Sequence, residues 1–116
     1  MKSVISGVVL ALCLSSAAQA ADLFGSPNSC SVVTHSNLLS IADNGELTTE
    51  VVRYMTEAVN VADSSQWIDS RSSAFTWASE AKVACGIAFG YLKYDHRDDD
   101  HINKCECFHS RMVDYM

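Results

Sequence analysis

Four cysteines constrain the fold of this chain more than any other residues, because they follow a segment typical of export. Residues 1–20 begin with a single lysine, continue with an almost unbroken apolar run and end in Ala-Gln-Ala, the pattern of a signal-peptide cleavage site. Cleavage there removes Cys13 and leaves Cys30, Cys85, Cys105 and Cys107. Since exported proteins fold where thiols oxidise, we predict a periplasmic or secreted protein with two disulfides.

The remaining chain is long enough for one small domain. Residues 21–35 contain the single proline of the chain among Gly, Ser and Asn residues, which predicts an irregular N-terminal arm. Residues 36–116 carry apolar residues at helical spacing and no comparable strand pattern. We therefore predict an all-α fold, a small bundle of about four helices stapled by two disulfides.

The charge balance limits the class of partner. The chain has a net charge of −6, which becomes −7 when Lys2 is lost with the signal peptide. Nucleic acids and anionic lipids are bound by clustered Lys and Arg, so an acidic chain argues against both. The longest apolar region after the signal, residues 74–92, contains Glu80 and Lys82 and predicts a buried helix, so no membrane contact is expected after signal removal. This charge favours a basic protein as partner. The alternative is that the acidic balance only keeps a small exported protein soluble. An oligomer is compatible with the sequence.

The first two helices are predicted from capping residues and spacing. We expect a short helix over residues 36–43, stopped by Asn44-Gly45 in a left-handed turn. Thr48 or Thr49 would then cap a second helix that runs to Ala62.

A loop and two further helices are predicted in the second half. Residues 63–72 are rich in serine and predict a loop with Trp67 and Ile68 turned inward. Residues 74–94 form the longest predicted helix, which is apolar on several faces and should therefore be surrounded by neighbours. An acidic turn over residues 95–100 precedes a last helix over residues 101–116, whose apolar stripe consists of Ile102, Cys105, His109, Met112 and Met116.

Helical geometry restricts how the cysteines pair. Cys105 and Cys107 are two residues apart on the last helix, so their side chains point about 200° apart and cannot bond each other. Cys105 belongs to the apolar stripe and favours Cys85 on the preceding helix, which leaves Cys107 for Cys30 of the arm. The exchanged pairing, Cys85 with Cys107 and Cys30 with Cys105, stays open.

A zinc site is the competing interpretation of the same region. His101, Cys105 and His109 share one helix face, but they span about 12 Å along the axis, too far for all three to bind one ion. Oxidation also competes for the thiols, so we predict no metal and no cofactor. His35, His96 and His101 are expected to be solvated or capping residues, and His109 a partly buried packing residue.

The sequence carries no catalytic motif that we can identify. It contains no nucleophile elbow, phosphate loop or paired-histidine metalloprotease motif, so we predict that the protein is not an enzyme. The acidic run 98–100 does not follow the spacing of an EF-hand calcium loop, and a solvated helix-capping turn is the expected role. Trp67, Phe75 and Trp77 could line a ligand pocket, but core packing is the expected role of these aromatics.

The last two predicted helices resemble part of a known family. Residues 84–91 (ACGIAFGY) and 104–111 (KCECFHSR) are similar to the cysteine-containing helices of the Tai/Rap group, periplasmic immunity proteins that protect bacteria from type VI secretion amidases. HdeA-type acid chaperones are similar in size, helicity and export. The first resemblance implies an inhibitor that plugs the cleft of a cell-wall-degrading toxin, with Asp95, Asp98, Asp99 and Asp100 as candidates for contact with a basic rim. The second implies a periplasmic acid-stress chaperone, and an exported structural protein is a third possibility.

Overall fold

The computed structural model describes Cys30 and residues 36–116. The predicted signal peptide and the rest of the predicted arm, residues 21–29 and 31–35, lie outside the described residues. The described part of the chain forms five α-helices and no strand: α1 (Asn37–Ser40), α2 (Asn44–Ala62), α3 (Ser65–Ile68), α4 (Ala74–Leu92) and α5 (Asp99–Asp114). The predicted all-α class with two disulfides is confirmed.

Three long helices make the body of the protein, with α4 between α2 and α5. Trp77 stacks on Phe108 and Cys85 bonds Cys105, so rising numbers on α4 meet falling numbers on α5, and the two helices are antiparallel. Asn44 of α2 likewise meets Asp95 beyond the end of α4. Short α1 closes one end of the bundle against α5.

The start of α2 differs from the prediction. Asp43 is the N-cap residue and accepts a hydrogen bond from the Glu46 backbone N–H at 2.7 Å, so Asn44 and Gly45 form the first turn of α2 instead of a left-handed stop. The threonines do not cap this helix, because Thr48 Oγ1 donates to the Asn44 carbonyl one turn earlier. An aspartate with a glutamate three residues later resembles a capping box, which explains why the N-cap of α2 lies five or six residues earlier than predicted.

Three predictions about buried faces need correction. The predicted loop 63–72 contains α3, and Ile68 is half exposed instead of turned inward, although Trp67 does pack on the core. The face of α4 that carries Val83 and Ile87 is uncovered, so α4 is not surrounded on all sides. Met116 lies beyond the end of α5, so it does not continue the buried helical stripe, and it is exposed.

The last helix begins slightly earlier than predicted. Asp98 is its N-cap, so Asp99 and Asp100 lie in the first turn, where negative charge is favourable. Ile102, Cys105 and Met112 are fully buried, as their spacing predicted. Cys107 and Asn103 do not belong to that stripe and are also buried.

Candidate functional site

The turn between α4 and α5 presents exposed aromatic and acidic side chains together. Tyr94 is 85% exposed and Tyr91 is 44% exposed. Asp95, Asp99 and Asp100 are exposed beside them. We call these five residues the α4–α5 corner.

The backbone at this corner is fixed by the way α4 ends. The Asp95 N–H donates to the Leu92 carbonyl, and the His96 N–H donates to the Tyr91 carbonyl. These are the two hydrogen bonds of a Schellman motif. Asp95 occupies the left-handed position with φ of 55°, the sole non-glycine residue with positive φ in the described part of the chain. Aspartate tolerates this conformation better than most residues, so the motif closes without glycine.

The four predicted partner-binding carboxylates have different local roles. Asp98 is half-buried and accepts from the backbone N–H and the Nδ1 atom of His101, at 3.3 and 2.7 Å. The hydrogen bond from the His101 side chain holds the pKa of Asp98 below its usual value. Asp98 is therefore used inside the cap of α5 and has little surface to offer a partner.

The other three carboxylates each have one neighbour and remain exposed. Asp95 accepts from Asn44 Nδ2 at 2.6 Å, and Asp100 pairs with Lys104 at 2.6 Å. Asp99 lies 3.3 Å from Arg97 Nε. Exposed pairs of this kind contribute little energy and open easily, so these carboxylates are accessible to another protein.

Arg97 ties the corner to α1. Its guanidinium donates to the Ile41 carbonyl at 2.7 Å and the Leu39 carbonyl at 2.8 Å. These two carbonyl oxygens belong to the end of α1 and to the residue after it. Carbonyls at a helix end have no intrahelical hydrogen-bond partner, and Arg97 supplies one. The corner is thus held from both α4 and α1.

Glu106 is a buried carboxylate that the sequence analysis missed. It accepts hydrogen bonds from the Asn37 N–H at 2.8 Å, the Leu38 N–H at 3.1 Å and the Ser36 hydroxyl. It therefore caps the first turn of α1 from α5. A glutamate between two helical cysteines was the available signal, because a charged residue there must find partners once both neighbours are buried.

Three consecutive residues of α5 hold three different parts of the molecule. Cys105 bonds Cys85 of α4 with a Cα–Cα distance of 4.5 Å, and Cys107 bonds Cys30 with a Cα–Cα distance of 5.6 Å. This is the pairing that helical geometry favoured. Glu106 between them binds α1.

A second polar cluster links α2 with α5. His109 is 8% exposed, its Nε2 atom lies 2.5 Å from Glu57, and its ring stacks on Tyr54 with centroids 4.2 Å apart. Burial raises the pKa of Glu57, but hydrogen bonds from His109 and Arg53 outweigh it and hold the pKa below its usual value of 4.5. The pKa of Tyr54 is raised, mainly by burial and to a smaller extent by the charge of Glu106. The cluster keeps an ionised carboxylate against a buried ring.

Within Cys30 and residues 36–116, no three His, Cys, Asp or Glu side chains are grouped to hold a metal ion. His101 instead forms a hydrogen bond with Asp98, and His109 forms one with Glu57. Cys105 is in a disulfide. No helix in this part of the chain is long and apolar enough to cross a membrane.

Comparison with known proteins gives no match. No family model, no curated protein and no solved structure is significantly similar to this chain.

Proposed function

We propose that this protein is an exported binding protein that docks a basic protein partner through the α4–α5 corner. The observation that carries the proposal is the placement of Tyr91 and Tyr94 beside three exposed carboxylates on a braced turn. Tyrosine is enriched among residues that dominate binding energy, and carboxylates attract a basic surface over a longer range.

The rigidity of the corner favours tight binding. The Schellman motif fixes its backbone, Arg97 joins it to α1, and the Cys85–Cys105 disulfide joins α4 to α5. A surface that is already ordered loses little conformational freedom on association, so less of the contact energy is spent on ordering it.

We propose further that the partner is a cell-wall-degrading toxin and that the protein acts as an immunity-type inhibitor. The resemblance to the Tai/Rap group supports this, because both similar segments lie on the α4–α5 hairpin that carries the corner. Net charge of −6 suits a cleft with a basic rim. In this function the corner would enter the cleft and exclude the substrate.

The test is binding and inhibition with the product of the adjacent gene. The protein and that product are co-expressed, co-purified and assayed for cell-wall hydrolysis, with and without the double variant Asp99→Asn/Asp100→Asn. We expect the double variant to bind the partner at least tenfold more weakly, since two carboxylates of the α4–α5 corner are neutralised.

The matched control carries the same charge change elsewhere. The double variant Asp69→Asn/Asp114→Asn neutralises two exposed carboxylates outside the corner, and its affinity should stay within about twofold of the parent. Equal losses in the two double variants would show that net charge, and not the corner, attracts the partner. Absence of any complex or inhibition would refute the immunity function.

A second candidate function, an acid-stress chaperone, is favoured by two carboxylates, one that links α2 to α5 and one that caps α5. Glu57 and Asp98 both have lowered pKa values because histidine and other donors bond them. Protonation in strong acid would break these contacts and loosen the fold. Incubation at about pH 2 to 3 with an aggregating client protein tests this: suppression of light scattering supports the function, and unchanged aggregation rejects it.

A further inference from the structure

The two disulfides close rings of very different length. Cys85 and Cys105 are 20 positions apart in sequence, whereas Cys30 and Cys107 are 77 positions apart. Because the entropic cost of closing a loop grows with the logarithm of its length, the short ring closes roughly sevenfold more readily in the unfolded chain. Ring length alone therefore places the Cys85–Cys105 link first and the Cys30–Cys107 link second.

Ring length does not decide which cysteine of α5 bonds Cys85. Cys107 is only two positions farther along the chain than Cys105, so the two possible rings are nearly equal in length. On a helix their side chains point about 200° apart, and it is Cys105 that faces α4 in the folded protein. The native first link is therefore selected when α5 packs on α4, and it leaves Cys107 as a free thiol on another side of α5.

The residue beside this free thiol holds the segment that follows Cys30. Glu106 accepts hydrogen bonds from the Ser36 hydroxyl and from the first two backbone N–H groups of α1, the latter two at 2.8 and 3.1 Å. Leu38 is 1% exposed, so its side chain adds a buried apolar contact. Contacts that do not involve the Cys30–Cys107 disulfide therefore fix α1 to α5 one position before Cys107.

Docking of α1 shortens the loop that the second disulfide must close. Cys30 lies six positions before Ser36, and Glu106 is the sequence neighbour of Cys107. With Ser36 bound to Glu106, the open loop is about seven residues long instead of 77. A loop that is about eleven times shorter closes on the order of thirtyfold more readily. The docked helix thus raises the local concentration of the Cys30 thiol around Cys107.

We propose that Glu106 is a positioning residue for formation of the Cys30–Cys107 disulfide. The Cys85–Cys105 link forms first, Glu106 then docks α1, and the Cys30–Cys107 link closes last. The proposal concerns how the chain reaches its oxidised fold, so it is separate from the proposed function and needs no partner protein.

The last step is an exchange with an external disulfide that acts as the oxidant. The Cys30 thiolate attacks this disulfide, forms a mixed disulfide with one half of it and releases the other half as a thiolate. The Cys107 thiolate then attacks the Cys30 sulfur and releases the second half. The two cysteine thiols thus lose two electrons and two protons, which reduce the external disulfide to two thiols.

The order is tested by following the disulfides of the processed protein as they form. The reduced, unfolded chain is returned to native buffer with oxidised and reduced glutathione, free thiols are blocked with N-ethylmaleimide, and unreduced peptides are mapped by mass spectrometry. We expect Cys85–Cys105 to be the main one-disulfide species and Cys30–Cys107 to appear only in the two-disulfide product. A main one-disulfide species with Cys30–Cys107 or Cys85–Cys107 would overturn the order.

Glu106→Gln tests the positioning role in the isolated Cys85–Cys105 form. Closure of Cys30–Cys107 by oxidised glutathione should be at least fivefold slower, because α1 is docked for less of the time. Loss of a negative charge beside Cys107 would by itself favour its thiolate and speed closure, so slower closure reports lost docking. The earlier Cys85–Cys105 step should not be slowed. Glu80→Gln, the same change on α4, should leave both rates within twofold of the parent.

Three further variants separate docking from a general loss of stability. Leu38→Ala weakens the docking of α1 without changing Glu106 or a cysteine, so it should slow the last closure at least fivefold. Ser40→Ala, at an exposed position of α1, should leave this rate within twofold. Met112→Ala removes a buried side chain from a different cluster and should also leave it within twofold.

Two results would overturn the positioning role. The first is closure of Cys30–Cys107 at the parent rate in both Glu106→Gln and Leu38→Ala. The second is equal slowing in Met112→Ala and Glu106→Gln, which would assign the effect to stability of the whole bundle. Circular dichroism of each one-disulfide form shows whether the compared variants keep the helix content of the parent.

Discussion

The two ends of the helical bundle are held together by different means. At the end that carries the corner, large side chains surround the Cys85–Cys105 disulfide, and Glu106 and Arg97 bind α1. We call this the disulfide end. We call the other end the alanine end, because most of its buried residues are alanines. They are Ala58, Ala62, Ala74, Ala78 and Ala81, together with Val61 and Met112.

The difference shows where rigidity is concentrated. Alanine lets helices approach closely but removes little apolar surface from water, so each contact between these alanines contributes little free energy. Met112 is the one large side chain that is fully buried there. The disulfide end has larger side chains, a covalent link and buried hydrogen bonds, and it is the end where the proposed binding surface lies.

Loss of the disulfide between α4 and α5 should have the largest effect. We expect Cys85→Ala/Cys105→Ala to lower the free energy of unfolding by about 3 kcal/mol, because a link across 20 residues no longer restricts the unfolded chain. Urea unfolding followed by circular dichroism measures this. The comparison between the two ends would fail if this variant lost less stability than Met112→Ala.

Met112→Ala tests the alanine end. Removing the large buried side chain there should cost about 2 to 3 kcal/mol, since the surrounding side chains relax only partly into the cavity. Met116→Ala is the control, because Met116 is 57% exposed, and it should change stability by less than about 0.5 kcal/mol. Similar losses in the two methionine variants would contradict the assignment of Met112 as the main anchor.

Glu106→Gln tests the polar contacts of the disulfide end. The amide group presents a donor to a site where three donors already point at the carboxylate, so at least one of these contacts is lost and the variant should be about 2 kcal/mol less stable. Glu80→Gln serves as control, because Glu80 has no side-chain hydrogen bond to the described residues. Its stability should be unchanged, and amide hydrogen exchange should show faster opening of α1 in Glu106→Gln alone.

The Glu57 cluster between the two ends should make stability depend on pH. The folded pKa of Glu57 lies below its usual value of 4.5, so its contribution is present above about pH 4.5 and is lost as pH falls through the folded pKa. Because this side chain is 41% exposed, solvent screening limits the contribution to about 1 kcal/mol or less. Unfolding curves at pH 7 and pH 3 should therefore show a smaller acid loss in Glu57→Gln than in the parent. An equal acid loss would assign the effect to other carboxylates.

Much of the fold was predictable because it follows from local spacing. The bounds of α4, the buried stripe of α5 and the favoured disulfide pairing all depend on which side chains share a helix face. The predicted start of α2 was wrong because Asn44-Gly45 is compatible both with the end of one helix and with the first turn of the next. Asp43 decided between them by bonding the Glu46 N–H.

The candidate site was predictable only in part. The acidic run and the two tyrosines are adjacent in sequence, so their presence at one corner follows from a short turn. Asp98 differs from its neighbours because its cap bond to His101 draws it inward. The contact between Glu106 and α1 joins residues 69 and 68 positions apart, and no local pattern predicts such a pair.

The sequence by itself determined the helical class, the cysteine framework and the acidic turn, because periodicity, side-chain direction and capping act over a few residues. The tertiary structure decided which apolar side of α4 became core and which stayed exposed. It also decided that Glu106 and His109 would be buried with partners from distant helices. The reason is that burial and hydrogen bonding depend on which helices meet, and that choice minimises exposed apolar surface over the whole bundle at once.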